Sequence, residues 1–306
     1  MKSLWNIFNR VLKALIYWRT AKEKISKPRL YMTLLVRNEE EKLEANLCFH
    51  HAMGVDGFIV TDNNSSDGTM AIVQRYRKKG WIQEVITEPS TGYEQKKWVD
   101  RMIQLAQEHY NADWIINADA DELWYAPSGS LKTELSNCRG NIAHCQIRSM
   151  IPEEDKPFYQ WNQRAEFVMD QLGYGLSPYS IFRYQRGKVA HRGVGYVQIG
   201  MGNHKVHMIP SFRVEVPICI YHYNIGTREQ FVKKMIQGGR ELERHSSHHG
   251  GVHWRYFYSL YKENRLSEEY DKVVGSNQRK RLVADGYIVE DKTINEYFHN
   301  YIQIER

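Results

Sequence analysis

The chain has 306 residues, of which 42% are hydrophobic, 25% charged and 12% aromatic. This is a globular composition, long enough for one large domain or two modest ones. Only 21 Gly and 8 Pro, with no low-complexity tract, exclude collagen-like, coiled-coil and disordered chains. The net charge is +6, from 42 basic and 36 acidic residues, but residues 1–30 alone hold eight basic residues and one acidic residue. The rest of the chain sums to −1, so its body lacks the basic character of a nucleic-acid-binding protein. Cys48, Cys138, Cys145 and Cys219 form no C-x-x-C pair. That leaves a zinc ribbon unsupported and fits a reduced, cytosolic protein.

Residues 4–18 read as an amphipathic helix, with Leu4, Phe8, Val11, Leu12, Leu15 and Ile16 on one face and Trp5, Tyr17 and Trp18 as interfacial aromatics. Arg10, Lys13 and Arg19 interrupt the apolar run, which falls short of the roughly 18–20 residues needed to span a bilayer. Lys13 and the lack of a small-residue cleavage site argue against a secretory signal. Such a helix suits either an anionic membrane surface or the body of its own protein. The membrane surface is the expectation adopted here, with residues 1–20 as the contact and the inner face of the cytoplasmic membrane as the location. Pro28 closes this arm, so the expected division is an arm over 1–28, a catalytic domain over 29–240 and a helical extension over 241–306.

From residue 30 strands and helices alternate. Tyr31–Val36 reads as a strand, residues 39–52 as a helix with Leu43, Leu47 and His51 on one side, and Phe58–Thr61 as a second strand. Residues 69–79 form a helix stopped by Gly80, Trp81–Ile86 a third strand, residues 93–108 a helix with Trp98, Met102, Leu105 and Ala106 inward, and Trp114–Asn117 a fourth strand. Short connections between these elements mean βαβ units and a mainly parallel sheet flanked by helices. Ligands of such sheets bind beyond the carboxyl ends of the strands. Three polar clusters lie there: Arg37-Asn38-Glu39, Asp62 to Thr69, and Asp119-Ala120-Asp121-Glu122.

Asp119 and Asp121 flank one alanine just after a buried strand. In extended chain, residues two apart point the same way, so both carboxylates would address one site. Two close like charges call for a cation, and Mg²⁺ or Mn²⁺ prefers oxygen ligands shared with substrate phosphates. Asp62 follows its strand immediately and is placed to accept hydrogen bonds from a base or ribose, whereas Asp67, Gly68 and Thr69 are explained by turn and capping chemistry. Lys96 and Lys97, near a helix start, face either a diphosphate or solvent.

These residues resemble the family 2-like glycosyltransferases of GT-A fold. The likeness rests on T-L-L-V-R-N-E, on V-T-D-N-N-S-S-D-G-T and on W-I-I-N-A-D-A-D-E-L-W, and continues through Gly202-Asn203-His204-Lys205 and Ile220-Tyr221-His222-Tyr223. It implies a GT-A, Rossmann-like fold and a sugar transfer from a nucleotide-sugar donor, UDP-sugar favoured, to a glycan or lipid-linked acceptor in bacterial surface polysaccharide or lipooligosaccharide synthesis. By the same resemblance Asn38, Glu39, Asp62 and Asp119 serve the donor, and Lys96 is counted with them from its place near a helix start. Asp119 and Asp121 hold Mn²⁺ or Mg²⁺, with His222, or alternatively His204, as a further ligand. An inverting enzyme also needs a base, for which Asp170, with Glu166 as the alternative, is chosen.

Two other classes compete. A sugar-phosphate nucleotidyltransferase should carry a glycine-rich loop after the first strand, and Arg37-Asn38-Glu39 has none. An inactive glycan-binding protein would not need Asp119 and Asp121. His245, His248, His249 and His253 offer i, i+4 pairs for zinc, but Gly250-Gly251 favours a loop near the acceptor instead. Trp254, Tyr256, Phe257, Tyr258 and Tyr261 read as the packing face of the tail.

Overall fold

A computed structural model of the chain describes Phe8, Leu12 and residues 25–90, 94–244 and 251–304. The expected helix over 4–18 therefore lies outside the described residues, except for Phe8 and Leu12, which are helical and exposed. His245, His248 and His249 lie outside them as well. Among the described residues no helix is long and apolar enough to cross a membrane. The four cysteines are free thiols.

The chain divides into two compact units, one of Met1–Ile147, Arg186–Ile220 and Tyr301–Arg306, the other of Arg148–Gln185 and Tyr221–Asn300. The first unit follows the expected alternation. Strand β1 (Leu30–Val36) leads to α1 (Glu40–Ala52), β2 (Gly57–Asp62) to α2 (Thr69–Lys78), β3 (Ile82–Thr87) to α3 (Gln95–Glu108), and then comes β4 (Trp114–Ala118). The chain continues through β5 (Glu122–Tyr125), α4 (Leu131–Asn137) and β6 (Ile142–Ser149). After a long excursion it returns as β8 (Lys188–Arg192), β9 (Tyr196–Ile199), β10 (Val206–Met208) and β11 (Arg213–His222), β7 (Gln163–Ala165) lying within the excursion.

The sheet runs β3-β2-β1-β4-β8-β6-β11-β5. The first four strands are parallel, with Val36 opposite Asp62 and Leu34 opposite Ala118. Strand β8 then runs antiparallel to both β4 and β6. β1, β2 and β4 read as nearly unbroken apolar runs because helices cover both faces of the parallel part. Val99, Met102, Ile103 and Ala106 of α3 pack on Ile59, Ile115, Ile142 and Val189. Each such large apolar side chain contributes about 1.5–3 kcal/mol on burial.

On α1 the inward face differs from the periodicity reading. His51 is exposed and stacked on Trp81, while Asn46 and His50 are buried with Leu43 and Leu47. A polar i, i+4 pair points into the protein because its hydrogen bonds are met there.

The second unit gathers α5 (Arg228–Arg244), α6 (Val252–Lys262), α7 (Leu266–Val274), α8 (Ser276–Ala284), β12 (Ile288–Glu290) and α9 (Thr293–Tyr301) with the 148–185 segment. Its core joins Val168, Leu176 and Phe182 to Phe231, Phe257, Leu260 and Tyr270, with Trp254, Tyr256 and Tyr261 packed against it. Among the described residues the tail is mainly helical, and its short strand β12 pairs antiparallel with β7. Gly238 and Gly239 sit inside α5, where a Cβ would lie 2.7 Å from the Trp254 ring and 2.2 Å from Tyr258. Their helix-propensity cost, about 1 kcal/mol each, is the condition for α6 to pack that closely.

Candidate active site

Parallel pairing aligns the carboxyl ends of β1, β2 and β4, so Asp62 and Asp119 stand at one edge of the sheet with β1 between them. Two strand spacings separate their strands by about 10 Å.

The residues after β4 are not extended, as their spacing suggested. Glu122 N–H donates to the Asp119 carbonyl at 3.1 Å and closes a tight turn. The two aspartates therefore differ: the Asp119 side chain is 39% exposed, whereas Asp121 is only 4% exposed.

This acidic turn is bound from beneath by buried side chains that the sequence reading passed over. The Asn46 amide donates to the carbonyls of Glu122 (2.8 Å), Ala120 (3.1 Å) and Asp119 (3.4 Å). Its orientation is set by His50. Trp124 N–H donates to His50 Nε2 at 3.0 Å, so His50 Nδ1 carries the proton and donates to the Asn46 side-chain and main-chain oxygens. Burial pushes the His50 pKa down to about 3, outweighing its bond to Asn46, so the ring is neutral.

Lys188, at the start of β8, is buried with its ammonium 2.7 Å from Asp119 Oδ2 and 2.5 Å from Glu122 Oε1. Burial alone would lower its pKa, but the two carboxylates override that and hold it above the ordinary lysine value. Two carboxylates, at Asp119 and Glu122, thus share one buried ammonium, and Asp121 lies in the same turn. The carboxylate oxygens of Asp119 and Asp121 are the hard donors that a divalent ion prefers. Among the described residues no three His, Cys, Asp or Glu side chains form a metal cage. A cation at this turn would therefore take much of its shell from substrate oxygens, as Mg²⁺ commonly does.

The loop after β2 is organised differently. Asp67 Oδ1 accepts from Thr69 N–H at 3.0 Å and Oδ2 from Glu40 N–H at 3.3 Å. Against a burial that raises it, bonds from Thr69 and Glu40 hold the Asp67 carboxyl below its usual range. Asn38, with φ of 56°, accepts Ser66 N–H at 2.8 Å on its side-chain oxygen, while its own N–H donates to Ser65 Oγ at 3.0 Å. Glu39 N–H donates to Thr69 Oγ1. Asp62 is the exception: its Oδ2 accepts Ser65 N–H at 3.3 Å, but its buried Oδ1 has no hydrogen-bond partner. An orphaned buried acceptor costs about 1–3 kcal/mol, so its place at a strand end invites a donor from a ligand.

Lys96 donates to Gln198 Oε1 at 2.8 Å and lines a cleft of about 590 Å³ with Gln95, Asp100, Arg101 and Gln104. His204 bonds the Gly187 carbonyl through Nδ1 at 2.6 Å, beside Lys188 in the chain. His222 ends β11 and belongs to the second unit, where its carbonyl accepts Met150 N–H at 2.9 Å. Asp170 and Glu166 belong to that unit too. Asp170 is exposed and accepts Gly173 N–H at 2.9 Å in a local turn, and Glu166 pairs with Arg164.

Comparison with known proteins adds the identity. A curated relative, the lipopolysaccharide core biosynthesis glycosyltransferase LpsC of Rhizobium meliloti (strain 1021), is 24% identical over 180 residues. That match covers 59% of this chain and 57% of the relative, so the chain spans somewhat over half of LpsC. Among solved structures, S. aureus TarS 1-349 in complex with UDP aligns at a TM-score of 0.39 and 12% identity, covering 89% of this chain and 91% of that one. The mannosyltransferase PcManGT of Pyrobaculum calidifontis, in complex with GDP-Man and Mn²⁺, also aligns at 0.39, with 15% identity over 91% and 87% of the two chains. Similarity at that level transfers no feature of either site. The sequence model of glycosyltransferase family 92 matches residues 37–249, which take in both strand-end turns and more than two thirds of the chain. The general likeness read from the motifs thus stands at the level of a glycosyltransferase, and the chain belongs to glycosyltransferase family 92.

Proposed function

We propose that this glycosyltransferase moves a sugar from a nucleotide-sugar, with UDP-sugars favoured, to a glycan or lipid-linked acceptor, with inversion and with Mn²⁺ or Mg²⁺ bound at Asp119 and Asp121. The observation that carries the reading is the acidic turn of Asp119, Asp121 and Glu122 standing at the same sheet edge as the unpartnered Asp62 oxygen. Asp62 accepts a hydrogen bond from the base or ribose. Asn38 and Glu39, held by the β2–α2 loop, shape the pocket beside it. A bound divalent ion would neutralise charge on the departing nucleoside diphosphate. The acceptor class follows the LpsC relative, whose name places it in lipopolysaccharide core synthesis. The +7 arm over residues 1–30 would hold the enzyme peripherally on the inner face of the cytoplasmic membrane.

The test is to incubate the purified full chain with a panel of nucleotide-sugars, with Mn²⁺ or with chelator, and to measure the nucleoside diphosphate released. The reading expects release from a UDP-sugar with Mn²⁺ and loss of that release with chelator. Release that is indifferent to chelator, or none from any donor, contradicts it.

A further inference from the structure

The acidic turn is held by a buried lysine, Lys188. Strand β8 is antiparallel to β4 with Ala190 opposite Ile116 and His191 opposite Ile115. Carried two residues further, that register sets Lys188 across from Ala118, the last residue before the turn. On the other side Lys188 pairs with Cys145 of β6. The approach to this position is tight: Gly187 has φ of +67°, and a Cβ there would lie 2.5 Å from the Cys145 carbonyl and from the His144 ring. The chain therefore enters β8 through a residue that only glycine satisfies, and the next residue is fixed under the turn.

Its side chain is only 3% exposed and ends between two carboxylates in different settings. Glu122 is fully buried, and its Oε2 also accepts Asp119 N–H at 3.3 Å and the Trp124 indole N–H at 3.4 Å. Asp119 lies on the solvent side, 39% exposed. Glu122 thus anchors the ammonium below, and the ammonium grips one oxygen of Asp119 above. Burying an ion pair rarely adds stability over an apolar core of the same volume, so its presence at this turn calls for another explanation.

We propose that Lys188 is a positioning residue for the cation: anchored by Glu122, it holds Oδ2 of Asp119 so that the carboxylate is already oriented toward a divalent ion when that ion arrives. The inference rests on the reading of Asp119 and Asp121 as metal ligands. It acts at the level of metal affinity, without a role for Lys188 in touching the donor.

The test compares Glu122→Gln with Lys188→Met/Glu122→Gln in the full chain. Mn²⁺ alone is titrated and the free ion followed by electron paramagnetic resonance, with a thermal melt of each variant. The double variant removes both members of the buried Lys188–Glu122 pair, so its fold is expected to survive. Charge alone predicts that it binds Mn²⁺ more tightly than Glu122→Gln, because a positive charge has left. Positioning predicts the opposite, a dissociation constant raised about tenfold, equal to about 1.4 kcal/mol. Lys188→Gln on the Glu122→Gln background keeps a donor to Asp119 and should return the constant to within threefold of Glu122→Gln, a rescue measurable even if the Met variant does not fold. Equal or tighter binding by the Met variant, or no rescue by Gln, overturns the role of Lys188. Asp119→Asn and Asp121→Asn serve as controls. If both bind Mn²⁺ like the parent, the metal reading itself fails and this inference with it; if they lose it, a failed Lys188 comparison counts against Lys188 alone.

Discussion

The two strand-end turns use their polar groups in opposite ways. In the loop after β2, Asn38, Ser65, Asp67 and Thr69 bond one another and the nearby main chain, and Asp62 alone keeps an unmatched buried oxygen. In the turn after β4, the bonds come from below, from Asn46 and Lys188. The first turn is mostly local geometry with one acceptor left over. The second is an acidic turn braced by a buried network. The difference teaches that density of acids and amides in a sequence does not mark a site; what marks it is which of those groups the fold leaves for something else.

Substitutions separate the two turns. The largest effect is expected at the braced one. Asp119→Asn and Asp121→Asn should each lower metal-dependent transfer at least a thousandfold, about 4 kcal/mol of transition-state stabilisation, with an unchanged circular dichroism spectrum. Near-parental turnover in Mn²⁺-restored enzyme would move the metal away from this turn.

The brace itself is probed by Asn46→Leu. Three carbonyls lose their donor and His50 loses an acceptor, so a loss of about 3 kcal/mol in unfolding free energy is expected. Denaturant titration would read it, and a change below about 1 kcal/mol would mean the turn holds without the amide.

Acid tests the same buried histidine. Burial lowers His50 to about 3 and His191 to about 4, both below the ordinary value of 6.5. Above pH 6.5 both states keep these rings neutral, and their contribution is complete. As pH falls through 6.5 the unfolded chain takes up protons that the folded chain refuses, and stability declines until the folded values are reached. At pH 5 the loss is about 2 kcal/mol per ring. A melting temperature that stays level from pH 7 to pH 5 would contradict neutral burial.

The loop after β2 should respond in two parts. Asp62→Ala is expected to weaken nucleoside diphosphate binding about tenfold, or about 1.4 kcal/mol, in an isothermal titration. Asp67→Ala should instead cost about 1 kcal/mol of stability through the lost bonds to Thr69 and Glu40, leaving donor affinity unchanged. If the two phenotypes are exchanged, the division between turn and site chemistry is wrong.

Much of the first unit was legible because its signals are local. β1, β2 and β4 are continuous apolar runs, Gly80 follows the end of α2, and each strand–helix boundary lies within two residues of its expected place. The placement of Asp62 and Asp119 at strand ends was legible because it follows from the strand pattern itself. Lys188 was not, since it is 66 residues beyond Glu122 and reaches the turn only through the antiparallel register of β8. Asn46 and His50 hid in a helix whose periodicity points as readily to His51; only the i, i+4 spacing of two polar residues hinted at a buried pair. The extended reading of Asp119 and Asp121 failed because a turn hydrogen bond from Glu122 N–H carries no side-chain signature.

The central claim is that the turn after β4 binds a divalent ion together with a nucleoside diphosphate. The direct measurement is Mn²⁺ affinity of the full chain, by electron paramagnetic resonance, with and without UDP, for the parent and for Asp121→Asn. The account predicts that UDP tightens Mn²⁺ binding in the parent at least tenfold and that Asp121→Asn abolishes this gain. Mn²⁺ binding that is indifferent to UDP in the parent, or a gain that survives in Asp121→Asn, would contradict it.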